Sequence, residues 1–249
     1  MKGGVQTGQE QRAVAGEGHA ALCVSILIPV YNEAQFIEAV LRKVAADPIE
    51  KEIIVIDDGS TDGTAQRLRE LQQELPIDVI THPRNQGKGQ AIRSGLQRCR
   101  GVFVMIQDAD LEYDPEDYPR LLKPLLERRA TIVYGSRFIG AHRASYFWHR
   151  LGNWVLTTMT NILFNASLTD VETGYKAFRR EVAESLSLQA KGFEFEVEFT
   201  CKVLKRSHMI FEVPISYYGR SYAEGKKITW VDGLQAIWVI LCCRVNGRA

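Results

Sequence analysis

The sequence has no long hydrophobic run, no cysteine pairing pattern and almost no net charge, and each absence argues against a class of protein. The longest apolar stretch near its end, residues 236–243, covers eight residues, far below the ~20 needed to span a bilayer. The five cysteines (Cys23, Cys99, Cys201, Cys242 and Cys243) are odd in number and show no Cys-x-x-Cys spacing. That argues against a disulfide framework or a zinc site and fits reduced thiols in a cytosolic protein. The five histidines, His19, His82, His142, His149 and His208, show no metal-ligand spacing either, so surface or packing roles are expected. A formal net charge of +1 gives no global field for nucleic acid, so any anion must be held by local groups. No Gly-x-Gly-x-x-Gly follows the first strand-like run, and Gly87-Lys88-Gly89-Gln90 lacks the spacing and the Ser or Thr of a phosphate loop. A helix N-terminus carrying a Lys there would still suit a phosphate; a purely structural glycine turn is the equal alternative.

What is present is an alternation. With 45% hydrophobic residues, the 249-residue chain can bury one substantial core. Residues 1–19 hold five glycines and no apolar run, so a disordered tail over 1–20 is expected rather than a signal peptide. β-rich runs over 22–30, 52–56, 77–81, 102–106 and 131–134 alternate with helical patterns over 33–46, 64–74 and 88–98. The first of these helices places Phe36, Ile37, Val40, Leu41 and Val44 on one face. Asp114-Pro115-Glu116 starts another helix. This order predicts an α/β fold with a mostly parallel, Rossmann-like sheet flanked by helices.

The chemistry concentrates at strand ends. Val102-Phe103-Val104-Met105-Ile106 reads as a buried strand, and Asp108-Ala109-Asp110 follows it. In open α/β sheets that edge binds ligands, and two hard oxygen ligands there suit Mg²⁺ or Mn²⁺ beside a diphosphate. Pro29-Val30-Tyr31-Asn32-Glu33 and Asp57-Asp58-Gly59-Ser60 end two further strands and would converge on the same crevice. Tyr31 can offer its ring to a base, and Asp57 can accept hydrogen bonds from base N–H or ribose hydroxyl groups. Such a division of labour describes a nucleotide-sugar site.

Several longer motifs carry a specific resemblance. They are Ile28-Pro29-Val30-Tyr31-Asn32-Glu33, Asp57-Asp58-Gly59-Ser60-Thr61-Asp62-Gly63-Thr64, Asn85-Gln86-Gly87-Lys88-Gly89, Asp108-Ala109-Asp110, Gly135-Ser136-Arg137-Phe138 and Asp170-Val171-Glu172-Thr173-Gly174-Tyr175-Lys176. Glu212-Val213-Pro214-Ile215 and the stretch from Arg220 to Lys227 extend the match to about residues 22–230, in order. The chain resembles a family-2 inverting glycosyltransferase with the GT-A fold, of the polyprenyl- or dolichyl-phosphate mannose or glucose synthase type. The resemblance implies that Pro29, Tyr31, Glu33, Val55 and Asp57 line the nucleoside pocket. Asp108 and Asp110 would engage the metal and diphosphate, with the Ala109 backbone close by. Glu112, standing where the best-known mannose enzymes have Gln, would add a third carboxylate near the metal. Arg220 and Lys226 match a basic pair on the donor phosphates, in a segment (219–249) comprising a basic lid and a C-terminal amphipathic helix after a catalytic domain over 21–218.

An inverting transfer to a sugar hydroxyl needs a positioned base, whereas a phosphate acceptor is already an anionic nucleophile. Arg137 and Arg150 are the expected cations for it, because guanidinium groups fork onto phosphate oxygens; a surface role for Arg150 is equally open. Asp110, Arg137 and Arg150 thus form the expected catalytic set. Asp170 and Thr173 lie in a motif that the resemblance puts beside the acceptor, with a turn-forming role as the alternative. Glu194, Glu196 and Glu198 read as a helix start or solvated edge. Two apolar stripes, Leu151-Trp154-Val155-Met159-Ile162-Leu163 flanked by Arg143 and Arg150, and Trp230-Leu234-Ile237-Trp238-Leu241 followed by Arg244 and Arg248, suit interfacial helices. Packing on the sheet or on another subunit is the alternative. The expected partners are a nucleotide sugar, a polyprenyl or dolichyl phosphate and the membrane surface, with a separate membrane subunit or a homo-oligomer also open and no nucleic acid. The expected location is peripheral, on the cytoplasmic face. A glycosyltransferase acting on a saccharide hydroxyl, with Glu112 or Asp170 as base, and a non-catalytic nucleotide-sugar binding module are the other readings.

Overall fold

The structure, a computed structural model, describes residues 24–140, 146–220 and 230–245. The expected tail, Arg143, Lys226 and Arg248 lie outside them. β1 (Val24–Val30), β2 (Lys51–Asp57), β3 (Ile77–Thr81) and β4 (Phe103–Ile106) form as expected, all parallel. Crossover helices α1 (Ile37–Ala46), α2 (Thr64–Leu71) and α3 (Lys88–Leu96) connect them. The first helix starts four residues later than its pattern suggests, because residues 31–36 form a turn in which the Ile37 N–H already donates to the Glu33 carbonyl. After a 3₁₀ turn (Pro115–Asp117) capped by the Asp114 side chain come α4 (Tyr118–Leu126) and β5 (Ile132–Ser136). Then follow α5 (Phe147–Phe164), β6 (Lys176–Arg179), α6 (Arg180–Ser185), α7 (Phe195–Lys205), β7 (Ile210–Pro214) and α8 (Trp230–Val245).

The seven strands are ordered β3-β2-β1-β4-β6-β5-β7. β6 alone is antiparallel to both neighbours. Its reversal is what builds the site, because the loop that enters an antiparallel strand arrives at the same edge where its parallel neighbours end. The segment 170–175 therefore meets the carboxyl ends of β4 and β5.

Strand side chains alternate between faces. Ile26, Ile28, Ile53, Val55, Phe103 and Met105 pack with α1, α2 and α4, while Leu27, Ile54, Ile56, Val104 and Ile106 pack with α3, α6 and α7. A third cluster joins α5, α7 and α8 through Leu156, Val197, Cys201, Ala236 and Ile240. The opposite sides of α5 and α8 are apolar and open: Trp154, Ile162, Trp230, Leu234 and Trp238 are all exposed. An open groove of about 380 Å³ runs between them, lined by Trp154, Val155, Met159, Ile162, Leu163 and Leu241. Among the described residues, no helix is long and apolar enough to cross a membrane.

Candidate active site

The ends of β1 and β2 lie in register, Val30 opposite Asp57, and their loops are stitched together. Asn32 N–H donates to Ser60 Oγ (2.9 Å), Thr61 N–H to Asn32 Oδ1 (2.8 Å) and Glu33 N–H to Thr64 Oγ1 (3.0 Å). Asp57 is buried; its Oδ1 accepts the Ser60 N–H at 3.0 Å, while Oδ2 is buried with no hydrogen-bond partner. A buried acceptor left unpaired is costly unless something arrives to donate to it. Pro29 and Tyr31 are half-buried beside it. Val55 sits wholly within the core, where its role is packing under these strand ends rather than lining an open pocket.

Asp58, not among the expected site residues, clamps the next loop. Its carboxylate accepts the Gln86 N–H (3.0 Å) and Gly87 N–H (2.7 Å) and lies 2.6 Å from His82 Nδ1. Gly87 has φ +96°, and a Cβ there would fall 2.3 Å from the Lys191 carbonyl oxygen. That close approach lets Gly89 and Gln90 donate to the Gly192 and Lys191 carbonyls. The first turn of α3 is thus closed by the 189–192 loop, and the backbone phosphate site considered for it is not open. Its lysine is what reaches the crevice.

Lys88 Nζ lies 2.6 Å from Asp108 Oδ1 and 2.9 Å from Glu196 Oε1. Burial alone would lower its pKa, but these two carboxylates outweigh burial and raise it. Glu196 also pairs with the fully buried Lys176, whose ammonium donates to the Val171 and Thr173 carbonyls. Glu196 and Glu198 are therefore not a solvated edge. Glu196 belongs to this ion network, and Glu198 accepts the Gln189 and Ala190 N–H groups while pairing with Lys202. Glu194, at the helix start as expected, accepts the Lys191 and Gly192 N–H groups.

On the other side of the turn, Asp110 Oδ2 lies 2.7 Å from Arg220 Nη2, and Arg220 Nη1 lies 3.1 Å from Glu33 Oε2. Glu112 accepts the Arg220 backbone N–H at 2.6 Å and the Tyr217 hydroxyl at 2.7 Å. Burial, followed by the neighbouring Asp108 and Glu112 charges, pushes the Asp110 carboxyl up to about 7. Three carboxylates, Asp108, Asp110 and Glu112, meet two cations, Lys88 and Arg220, at this turn. Among the described residues no three Asp, Glu, His or Cys side chains are grouped to hold a cation; Glu112, expected near the metal, pairs here with Tyr217 and Arg220.

Aromatics support the turn from below. Tyr118 and Tyr175 hydroxyls both donate to Gln107 Oε1 (2.8 and 2.6 Å), Tyr113 stacks on Tyr175, and the Tyr113 hydroxyl accepts the Gly174 N–H at 2.8 Å. None of these was singled out in the sequence; the only signal was tyrosine density near the Asp-Ala-Asp turn and in the segment 170–176.

The third wall holds Arg137. Its Nε and Nη2 meet Asp170 Oδ2 and Oδ1 at 2.7 and 2.8 Å, and its backbone N–H also donates to Asp170. The fork expected to close on a phosphate is occupied by a carboxylate, because Asp170 is fully buried and needs a cation. Arg137 lies over Tyr217 and Phe138, and the exposed Arg150 reaches the same Phe138 ring at 5.6 Å. Glu172 stands between the two walls. Its Oε1 is buried without a partner, and burial followed by Glu196 pushes its carboxyl up to about 7.

The chain is 32% identical over 213 residues to an undecaprenyl-phosphate mannosyltransferase of Micrococcus luteus, covering 82% of this chain and 86% of that one. It is 31% identical over 211 residues to a polyprenol monophosphomannose synthase of Mycolicibacterium smegmatis, covering 81% and 79%. Glucosyl-3-phosphoglycerate synthase from Mycobacterium tuberculosis, solved with Mn²⁺, uridine diphosphate and glucosyl-3-phosphoglycerate, superposes with a TM-score of 0.70 at 23% identity, covering 91% of this chain and 81% of that one. The sheet order and its flanking helices are those of the GT-A fold. With the family profile also spanning residues 25–187, the chain belongs to glycosyl transferase family 2.

Proposed function

We propose that this protein transfers a hexose, with inversion at the anomeric carbon, from a nucleotide sugar to a polyprenyl phosphate at a membrane surface. The two relatives are named for mannosyl transfer and for polyprenol-phosphate products, which makes mannose the first sugar to test. One observation carries the choice of acceptor: Glu112 and Asp170, the carboxylates weighed as bases for a hydroxyl acceptor, are both engaged, by Tyr217 and Arg220 and by Arg137. A phosphate monoester needs no base. Its oxygen attacks the anomeric carbon, the bond from that carbon to the diphosphate oxygen breaks, and the nucleoside diphosphate departs.

In this reading Asp57 Oδ2 accepts from the base or ribose, with Pro29 and Tyr31 beside it. Glu33 lines the nucleoside pocket and pairs with Arg220, which faces the phosphates, joined by Lys226 from the segment outside the described residues. Asp108 and Asp110 suit Mg²⁺ or Mn²⁺, because two carboxylates plus the donor's own phosphates complete a shell of the kind these ions prefer. The excess of carboxylates over cations at the turn fits that role. A bound divalent ion would neutralise charge developing on the leaving diphosphate. Arg137, oriented by Asp170, and Arg150, on the shared Phe138 ring, form the cationic wall for the acceptor. The open apolar faces of α5 and α8 support peripheral attachment, on the cytoplasmic side in this reading. The domain reading remains a tail (1–20), a catalytic unit (21–218) and a lid with its helix (219–249).

A hydroxyl acceptor keeps one observation in its favour, since the raised Glu172 carboxyl is a base candidate. Incubating the protein with labelled GDP-mannose or UDP-glucose, Mg²⁺ and a polyprenyl phosphate separates the readings. Label extracted into organic solvent as a β-linked sugar phosphate supports the proposal. Transfer only to soluble saccharides overturns it.

A further inference from the structure

The segment Asp170–Gly174 joins two walls of the crevice. At one end Asp170 holds Arg137. At the other, Gly174 lies so close to Asp108 that an added Cβ would sit 2.3 Å from Oδ2. Glu172 is midway, with Oε1 buried and unpartnered. The charges acting most strongly on it are Glu196 and then Lys176, ahead of Arg137 and Asp170. Its carboxylate thus stands within electrostatic reach of both the Glu196–Lys176 pair and the Arg137–Asp170 pair. A transferred sugar must lie between the diphosphate near Asp108 and the nucleophile near Arg137, which is the interval this segment bridges.

We propose that Glu172 is a specificity-determining residue that accepts a hydrogen bond from a hydroxyl of the transferred hexose, with Glu196 as the positioning residue that keeps Lys88 on Asp108 beneath it. The inference rests on the nucleotide-sugar reading above. A buried acceptor left empty explains how one hydroxyl would be selected: a donor lacking that hydroxyl leaves the carboxylate unpaired, and sites built this way discriminate strongly. Lys176 donates to the Val171 and Thr173 carbonyls and so fixes the backbone on either side of Glu172.

Binding of GDP-mannose, UDP-glucose, their monodeoxy analogues and the free nucleoside diphosphates to the full chain tests this without requiring turnover. The parent should bind its preferred nucleotide sugar more tightly than the diphosphate and lose about 10- to 100-fold with one deoxy analogue only. Glu172→Ala, which removes the acceptor, should erase that single penalty, and Glu172→Gln, whose amide oxygen still accepts, should reduce it, while both bind the diphosphate as the parent does, with a cooperative melt confirming the fold. Variants that keep the parent's penalty at every hydroxyl overturn the inference. So does a base-like outcome, in which turnover falls 10²-fold or more with all donors alike and binding preferences are unchanged. Failure of the parent to bind any nucleotide sugar overturns both the inference and the function beneath it.

Discussion

Arg137 and Asp170 face each other in a two-point ion pair, at 2.7 and 2.8 Å, with the carboxylate fully buried and the guanidinium nearly so. Removing either partner strands a buried charge, which costs about 3–5 kcal/mol. Asp170→Ala should therefore lower stability by that order, seen as a shifted urea midpoint, and free Arg137 to move. Arg137→Lys keeps the charge but loses the forked geometry and the stacking on Tyr217. It should fold and bind nucleotide normally while raising the polyprenyl phosphate concentration needed for half-maximal turnover by about tenfold or more. Unchanged acceptor dependence would remove Arg137 from the acceptor wall.

Chelation tests the Asp-Ala-Asp turn. EDTA should abolish transfer, and Mg²⁺ or Mn²⁺ should restore it. Asp110→Ala should stay folded, because burial and then the Asp108 and Glu112 charges already disfavour its ionised form and Glu33 and Glu112 still pair with Arg220, yet lose at least ~10²-fold in turnover. Full activity in chelator would refute the metal role.

Gly174 leaves no room for a side chain beside Asp108. Gly174→Ala should displace the Asp108 carboxylate and weaken Mn²⁺-dependent nucleotide binding about tenfold or more, while leaving metal-free nucleotide binding nearly unchanged. Equal weakening under both conditions would mean that the segment moved as a whole.

The outer face of α8 offers a cleaner membrane test than its inner face. Trp238 is 68% exposed and Leu234 55%, whereas Ala236 and Ile240 are 3% and 0% exposed. Leu234→Glu with Trp238→Glu should release the protein from anionic liposomes in a sedimentation assay without changing its melting temperature. Ile240→Glu should unfold the helix contact instead. Parent-like sedimentation of the outer-face variant would exclude α8 as the anchor.

Glu172 gives the stability a pH signature. Its carboxyl titrates near 4.3 in an unfolded chain and is pushed up to about 7 here. Between those values the folded state holds a proton that the unfolded state has released, so stability falls as pH rises through this window and the penalty is complete above about 7. Glu172→Gln should remove that slope, gaining several degrees in melting temperature at pH 8 relative to the parent and little at pH 4. A parallel pair of melting curves across pH 4–8 would contradict the assignment.

The parallel half of the sheet was legible because its signal is local: short apolar runs ending in polar turns, spaced by one-faced helices. The reversed strand was not. Lys176–Arg179 is four residues long, carries charge at both ends and pairs with segments some 70 residues upstream and 40 upstream, so neither periodicity nor length marks it. The same distance hid the Lys88–Glu196–Lys176 network. Glu194, Glu196 and Glu198 recur at every second position, a spacing that says nothing about burial in a helix whose every face is covered. Asp57, Asp108 and Asp110 were readable since each stands at or within a few residues of the carboxyl end of a strand. Asp58 lies in the same motif as Asp57, but its clamp on Gln86 and Gly87 depends on a loop about 28 residues away.

A strand running against its neighbours also divides the catalytic crevice by chain direction. In the proposed site the groups assigned to the nucleoside come from loops that leave strands, and the Asp170–Gly174 bridge comes from a loop that enters one. Loops of the two kinds answer to different neighbours, so the entering segment can be exchanged as a cassette. Grafting the 165–175 stretch between relatives should move sugar or acceptor preference while the nucleoside half keeps its own.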